Sequence, residues 1–249
     1  MVISDKFILN EIEGKSKDVS LVTFDSEILI DTGISFSRNI NAEDGYSQFN
    51  PMFNDEDIVP DDIILTFMYD KNGIPQEWTE WKILDIKKWI ITDEFIPFVT
   101  FDNLDYIYYI KCKKIRNRMT PYGFGVLECT FTPLSHFAYQ KIEFNMNVTE
   151  LNNIIIQNPS MYKYKPIIKI KNLGDISTVN KVGSFEISGL NKNEVVVVDN
   201  LMLGVVNSNG DNRFSNCNRG WVELMQEENN LQLNGNCEVQ ISCEFPIVL

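Results

Sequence analysis

The chain is 249 residues long and carries 22 lysines and arginines against 35 aspartates and glutamates, giving a formal net charge of −13 and an isoelectric point near 4.6. An excess of that sign repels phosphate backbones, which excludes a protein that grips nucleic acid through a net-positive field. Hydrophobic residues at 44% and aromatics at 12% exclude intrinsic disorder, and the length allows one large β domain or two smaller ones.

The composition predicts sheet, with two alanines against 30 isoleucines and with Val, Phe and Tyr abundant. In chain order, alternation and turn signals predict strands at 6–12, 20–24, 33–38 and 62–69. Pro75 then opens an amphipathic helix over 76–91. In it Ile83, Ile86 and Ile90 follow helical spacing, as do Trp78, Trp81 and Leu84; Glu80, Asp85, Lys87 and Lys88 lie between them, and Thr79 is placed to cap. Trp81 and Trp89 are expected in a core or at a subunit interface, because tryptophans are typical interface anchors. Strands follow at 98–101, 106–114 and 125–132, then a short helical turn at 148–156, then strands at 165–171, 183–188, 194–199, 220–224, 230–233 and 237–244.

Asn72-Gly73, Asn209-Gly210 and Asn234-Gly235 supply the positive φ angles of tight hairpins. The last, between LQL and CEVQISCEF, is expected to join its flanking strands directly. The reading is therefore mainly β: an N-terminal β domain over 1–140 with one amphipathic α-helix, an Asn-rich connector over 141–164, and a C-terminal β domain over 165–249.

Residues 1–135 hold 23 acids and 13 bases, and 136–249 hold 12 and 9, so the first part carries −10 of the −13. Asp55, Glu56, Asp57, Asp61 and Asp62 form an acidic cluster around Pro60. Lys111, Lys113, Lys114, Arg116 and Arg118 form a basic run expected to end one strand and enter a loop. Such runs usually read as solvated loops; the sharper reading is identical subunits meeting head to tail, the basic loop of one against the acidic loop of the next.

Catalytic signatures are missing. His136 is the single histidine, and no GxSxG, GxGxxG, Walker A or HExxH pattern occurs. Carboxylate pairs such as Asp102 with Asp105 or Glu227 with Glu228 carry no weight in so acidic a chain. The five cysteines form no CxxC pair and read as small hydrophobes in strands, so no metal, no cofactor and no enzyme activity are expected. NSNGDN over 207–212 resembles a calcium loop but lacks its alternating carboxylates and closing glutamate, and reads as a hairpin turn. No apolar stretch approaches the roughly 18 residues of a membrane helix. Asp5, Lys6, Asn10 and Glu11 break up the N-terminus, so no secretory signal is read and a soluble, cytosolic chain is expected.

The order of features resembles the distal tail protein family of tailed bacteriophages, often called Dit. Four places carry the likeness: the strand pair in FILNEIEGKSKDVSLVTFD; IILTFMYD followed by a helix ending in IKKWI; FVTFDNLDYIYYIKCKKI; and GFGVLECTFTPLSHFAY. In the second half KPIIKIKNLGD, VVVVDN, RGWVEL and NNLQLNG follow in the family's order. Where the family has a proline-and-glycine phrase late in the chain, VELMQEENNLQL stands here with Glu227 and Glu228.

The resemblance implies a structural virion protein. Its N-terminal ring-forming β domain would build a homo-hexameric ring around a channel, and its C-terminal domain would be a galectin-like β-sandwich. Implied partners are the tail tube protein, the tail-tip or hub protein and a receptor-binding protein, with DNA crossing the channel unbound. The location would be the virion tail, assembled in the bacterial host cytoplasm. A galectin-like sandwich also raises the alternative of a carbohydrate-binding module for cell-wall attachment, with Asn216, Asn218, Arg219 and Trp221 in SNCNRGW as candidate glycan contacts.

Overall fold

Alternating apolar and polar residues over most of the chain can bury one face of a sheet at a time, and a mainly β protein results. The computed structural model describes residues 5–22, 36–43 and 52–248, and the backbone alone for 36–43 and 52–59. The chain divides into two compact units, Met1–Ala138 and Tyr139–Val248.

The first unit contains β1 (Phe7–Leu9), β2 (Ile12–Glu13), β3 (Val19–Leu21), β4 (Phe36–Glu43), β5 (Met52–Pro60), β6 (Ile63–Lys71) and β7 (Ile74–Pro75). The single helix α1 (Glu80–Ile90) follows, then β8 (Ile96–Thr100), β9 (Asn103–Met119) and β10 (Gly125–Pro133). The antiparallel pairing runs β3-β6-β10-β9-β8-β1-β2. The Leu21 N–H donates to the Asp5 carbonyl at 3.1 Å, which brings the β3 end of that path back to the segment leading into β1. One face is lined by Phe7, Phe67, Phe98, Phe131, Leu9, Leu127 and Ile110, all fully buried, and Ile86, Trp89 and Ile90 of α1 join the same core. β4 and β5 pair with each other from Phe36↔Pro60 to Glu43↔Met52.

The Asn72-Gly73 expectation is met: φ of 53° and 79° turn β6 into β7 with Lys71 opposite Ile74. The helix begins later than its spacing predicts. The Trp78 N–H donates to the Gly123 carbonyl and its indole Nε1–H to the Gly125 carbonyl at 2.9 Å, which holds 76–79 extended. Thr79 is the cap, its hydroxyl oxygen accepting from the Lys82 N–H at 3.2 Å.

The second unit contains β11 (Ala138–Val148), β12 (Asn152–Asn158), β13 (Ile167–Asn172), β14 (Asn180–Val182), β15 (Phe185–Ile187), β16 (Val195–Asp199), β17 (Gly204–Asn207), β18 (Glu227–Asn234) and β19 (Cys237–Ile247). Two sheets result, ordered β11-β19-β13-β16-β17 and β12-β18-β14-β15. Each buries alternate residues, as in Ile168 and Ile170 of one or Ile154 and Ile156 of the other, and two one-faced sheets in one compact unit form a sandwich.

Four expectations are corrected here. Residues 141–164 are not a connector, and 148–156 is not a helical turn: the stretch supplies most of β11 and all of β12, which runs in register with β18 from Asn152↔Leu233 to Asn158↔Glu227. Asn234-Gly235 does not close a hairpin. β18 lies between β12 and β14 while β19 lies between β11 and β13, so the turn, with Gly235 at φ 130°, carries the chain from one sheet to the other. Residues 220–224 form no strand: Leu224 makes an isolated bridge to Tyr164, outside the sheets, and Trp221 packs against Phe185 of β15.

Buried asparagines explain these turns. Asn200, with no exposed surface, donates from Nδ2 to the Pro166 carbonyl at 2.6 Å and accepts at Oδ1 from the Val222 N–H at 2.8 Å, doing the work of a peptide group between two segments that part. Asn180 Nδ2 donates to Asn172 Oδ1 at 3.0 Å, and Asn172 in turn donates to the Leu190 carbonyl at 2.9 Å. Asn200→Ala strands a buried donor and acceptor and is expected to cost about 2 kcal/mol, read in a urea titration as a lower midpoint at unchanged slope.

Candidate functional site

Three of the five cysteines, Cys129, Cys237 and Cys243, are taken up by packing. All five cysteines are free thiols, and burial pushes Cys237 up to about 11 and Cys243 up to about 12, leaving them protonated and unreactive at neutral pH. Among the described residues no three His, Cys, Asp or Glu side chains gather into a metal site. No helix among them is long and apolar enough to cross a membrane.

The basic run lies in a strand, which corrects the expectation of a loop. β9 continues to Met119 because β10 pairs with it as far as Gly125↔Met119. The register shifts between Thr130 and Phe131, which face Lys114 and Cys112, so Lys113 is an extra residue, a β-bulge. Cys112, Ile115 and Met119 therefore pack against the core, while Lys114, Arg116 and Arg118 all stand exposed.

Several of these cations are held in place. Lys111 Nζ donates to the Asp93 carbonyl at 2.5 Å. Lys113 pairs with Asp62 at 2.7 Å, and the Thr132 hydroxyl donates to the other Asp62 oxygen at 2.7 Å. Hydrogen bonds from Lys113 and then Thr132 hold the Asp62 carboxyl below its ordinary range. Arg116 and Arg118 share Glu128, one carboxylate oxygen each, at 3.5 and 3.0 Å. Sequence reasoning missed Glu128, although the alternation of GVLECTF already places it opposite the buried Leu127 and Cys129.

The acidic cluster divides. Asp61 and Asp62 are described fully; Asp55, Glu56 and Asp57 lie in strand β5 rather than in a loop, and their side chains fall outside the described residues. The two candidate tryptophans also part company. Trp89 is buried, stacked on Phe7 at 6.0 Å and donating from Nε1 to the Leu9 carbonyl at 3.1 Å, whereas Trp81 is 82% exposed with Leu84 one turn on.

The candidate glycan contacts lie together, but most of their polar atoms serve their own loop. Asn218 Oδ1 accepts from the Glu186 and Gly220 N–H groups, and its Nδ2 donates to the Ser184 carbonyl. Asn216 Nδ2 donates to the Ser188 carbonyl at 3.1 Å. Trp221, half-buried, lies between Phe185 and Phe214, and Arg219 stacks over Phe214 at 4.6 Å.

No family model matches the sequence, and no curated protein matches it. Solved structures do. The chain is similar to the phage SPP1 Dit protein, described as a paradigm of the hub adsorption apparatus in phages that infect Gram-positive bacteria; the identity is 12%, the match covers 96% of this chain and 98% of that one, and the TM-score is 0.62. It is also similar to a chain of the phage P2 baseplate in its activated conformation with calcium, at 9% identity, with 95% and 97% covered and a TM-score of 0.50. The strontium form of that baseplate gives 9%, 96%, 97% and 0.50. At such identities the likeness is one of fold, and it extends over nearly the full length of each chain: this protein has the fold of the phage Dit baseplate hub.

Proposed function

We propose that the chain is a structural, non-catalytic component of the tail of a phage or tail-like particle. In this reading it forms the distal hub ring of a baseplate, six copies around a channel, joining the tail tube protein to the tail-tip protein. The single observation that carries the reading is the fold shared with the SPP1 Dit protein over 96% of this chain and 98% of that one. Charge supports it: residues 1–135 carry 23 acids against 13 bases, and a ring of such units lets DNA pass without adhering wherever carboxylates line the channel. The second unit is then the place for a receptor-binding protein, and the location is the virion tail, assembled in the host cytoplasm.

The test is positional. In particles purified from a host that expresses this chain with an epitope tag, gold-labelled antibody is expected at the distal end of the tail tube by electron microscopy. Label distributed along the tube, or particles without the chain, overturns the reading.

A further inference from the structure

We infer that strand β12 is an interface between two copies of this chain, joined edge to edge and antiparallel about a twofold axis at Ile155. A self-complementary contact of this kind pairs two copies and closes no ring, so it is separate from the contacts of the proposed hub.

A sheet edge presents a row of unpaired N–H and C=O groups, which proteins ordinarily cover. The second unit covers two of its edges with loop segments. Beside β15, the Ser188 N–H donates to the Asn216 carbonyl and the Asn218 N–H to the Glu186 carbonyl, both at 3.0 Å. Beside β17, the Asn207 N–H donates to the Asp211 carbonyl and the Arg213 N–H to the Val205 carbonyl, both at 2.9 Å. β12 differs: among the described residues it pairs with β18 and with no other strand. The Ile156 carbonyl faces β18, because Nδ2 of Asn229, the residue directly opposite, reaches it at 3.5 Å. Alternation then turns the backbone groups of Asn153, Ile155 and Gln157 outward, and all three residues are exposed, Ile155 by 55%.

Open edges are usually guarded by charge, proline or a bulge. This one has none of them. In a chain with 23% charged residues, positions 151–162 hold no charge; β12 contains no proline and keeps one register with β18 from end to end.

The occupant follows from the order of residues. NNIIIQN reads almost the same in both directions about Ile155. A second copy laid antiparallel on that centre sets Asn153 opposite Gln157, Ile154 opposite Ile156 and Ile155 opposite itself. Carboxamides then meet carboxamides, and the two exposed Ile155 side chains cover each other. The outward backbone groups of Asn153, Ile155 and Gln157 complete a ladder of about six hydrogen bonds. An unrelated extended peptide would meet the same backbone groups without this match of side chains.

The experiment is sedimentation velocity on the full chain, with cysteine variants to fix the register. Wild type is expected to show a dimerisation step below about 100 μM. Ile155→Pro removes an N–H that faces away from β18, so the fold is kept while the hydrogen bonds at the axis are lost; dimerisation is expected to weaken on the order of 30-fold. Ile155→Lys sets like charges opposite each other and is expected to weaken it about tenfold, less so at high salt. Thermal unfolding verifies the fold of both variants. Under mild oxidation Ile155→Cys is expected to give a covalent dimer whose linked peptides, identified by mass spectrometry, join position 155 of one copy to position 155 of the other, since Cα atoms about 5.5 Å apart suit a disulfide. Leu151→Cys, equally exposed at 58% but off the axis, is expected to stay unlinked. A wild-type chain that is monomeric at about 100 μM, dimerisation unchanged in both the proline and lysine variants, or equal linking at 151 and 155 overturns the inference. So does linking only through the five native cysteines. None of these outcomes touches the tail reading, which is decided by where the chain sits in the particle.

Discussion

Trp89→Ala is expected to lower the stability of the first unit by about 3–5 kcal/mol, while Trp81→Ala, eight residues away on the same helix, changes it by less than about 0.5 kcal/mol. The contrast follows from where α1 places the two rings. Trp89 is 6% exposed, stacks on Phe7, and is flanked by Ile86 and Ile90, so its removal opens a void that the sheet behind it cannot collapse to fill. It also strands the Leu9 carbonyl, which accepts from the indole at 3.1 Å in a buried setting. Trp89→Phe separates the two effects: the ring stays, the hydrogen bond goes, and about 1–2 kcal/mol is the expected loss. Thermal unfolding reads all three variants, Trp89→Ala falling by roughly 10 °C. A midpoint within a degree or two of wild type would mean that α1 does not close this core. Trp81→Ala, stable but weaker in self-association, would instead mark Trp81 as a subunit contact.

The helix shows how far the sequence could be read. Ile83, Ile86 and Ile90 at helical spacing, with Thr79 to cap, located α1 within a few residues; its start was misplaced because Trp78 bonds to Gly123 and Gly125, which are distant in sequence. Strand β5 escaped notice because Asn54, Asp55, Glu56 and Asp57 are poor strand formers, and only cross-strand pairing with β4 makes them one. The same blindness turned β12 into a connector. Asparagine is a turn signal when its amide serves the local backbone, yet here Asn158, Asn172, Asn180 and Asn200 are buried and bridge segments far apart in sequence. Asn234-Gly235 failed for a topological reason: a tight turn is locally the same whether its strands pair with each other or enter different sheets. The basic run was legible as charge, but its outward alignment depends on a one-residue bulge that only the β9–β10 register reveals.

Glu194→Ala is the second large loss expected, about 3 kcal/mol from the second unit, with a pH signature that a packing defect would lack. Glu194 directly precedes β16, and its side chain is 9% exposed. One carboxylate oxygen accepts from Arg213 Nε at 2.7 Å, with Arg213 Nη2 also at 2.7 Å, and from Asn207 Nδ2 at 3.2 Å; the other accepts from the Asn191 N–H and Nδ2 at 2.9 and 3.2 Å. It thereby ties together the turn before β16, the turn after β17 and the loop leading to the short helical turn at Phe214–Asn216. Burial alone would push its carboxyl up, but the donors of Asn191, Asn207 and Arg213 outweigh burial and hold it below the ordinary glutamate value of 4.5. A carboxyl depressed on folding contributes stability that is full above that ordinary value and is lost as pH falls through the folded one. Unfolding midpoints of wild type and Glu194→Gln are therefore expected to differ most at pH 6–7 and to converge as pH drops below about 4.5, where protons compete for the wild-type carboxylate. Arg213→Ala should reproduce much of the loss at neutral pH, since it leaves the same carboxylate buried without its cation. A gap between wild type and Glu194→Gln that stays constant from pH 7 to pH 3 would show that the glutamate acts through shape, with its charge playing no part.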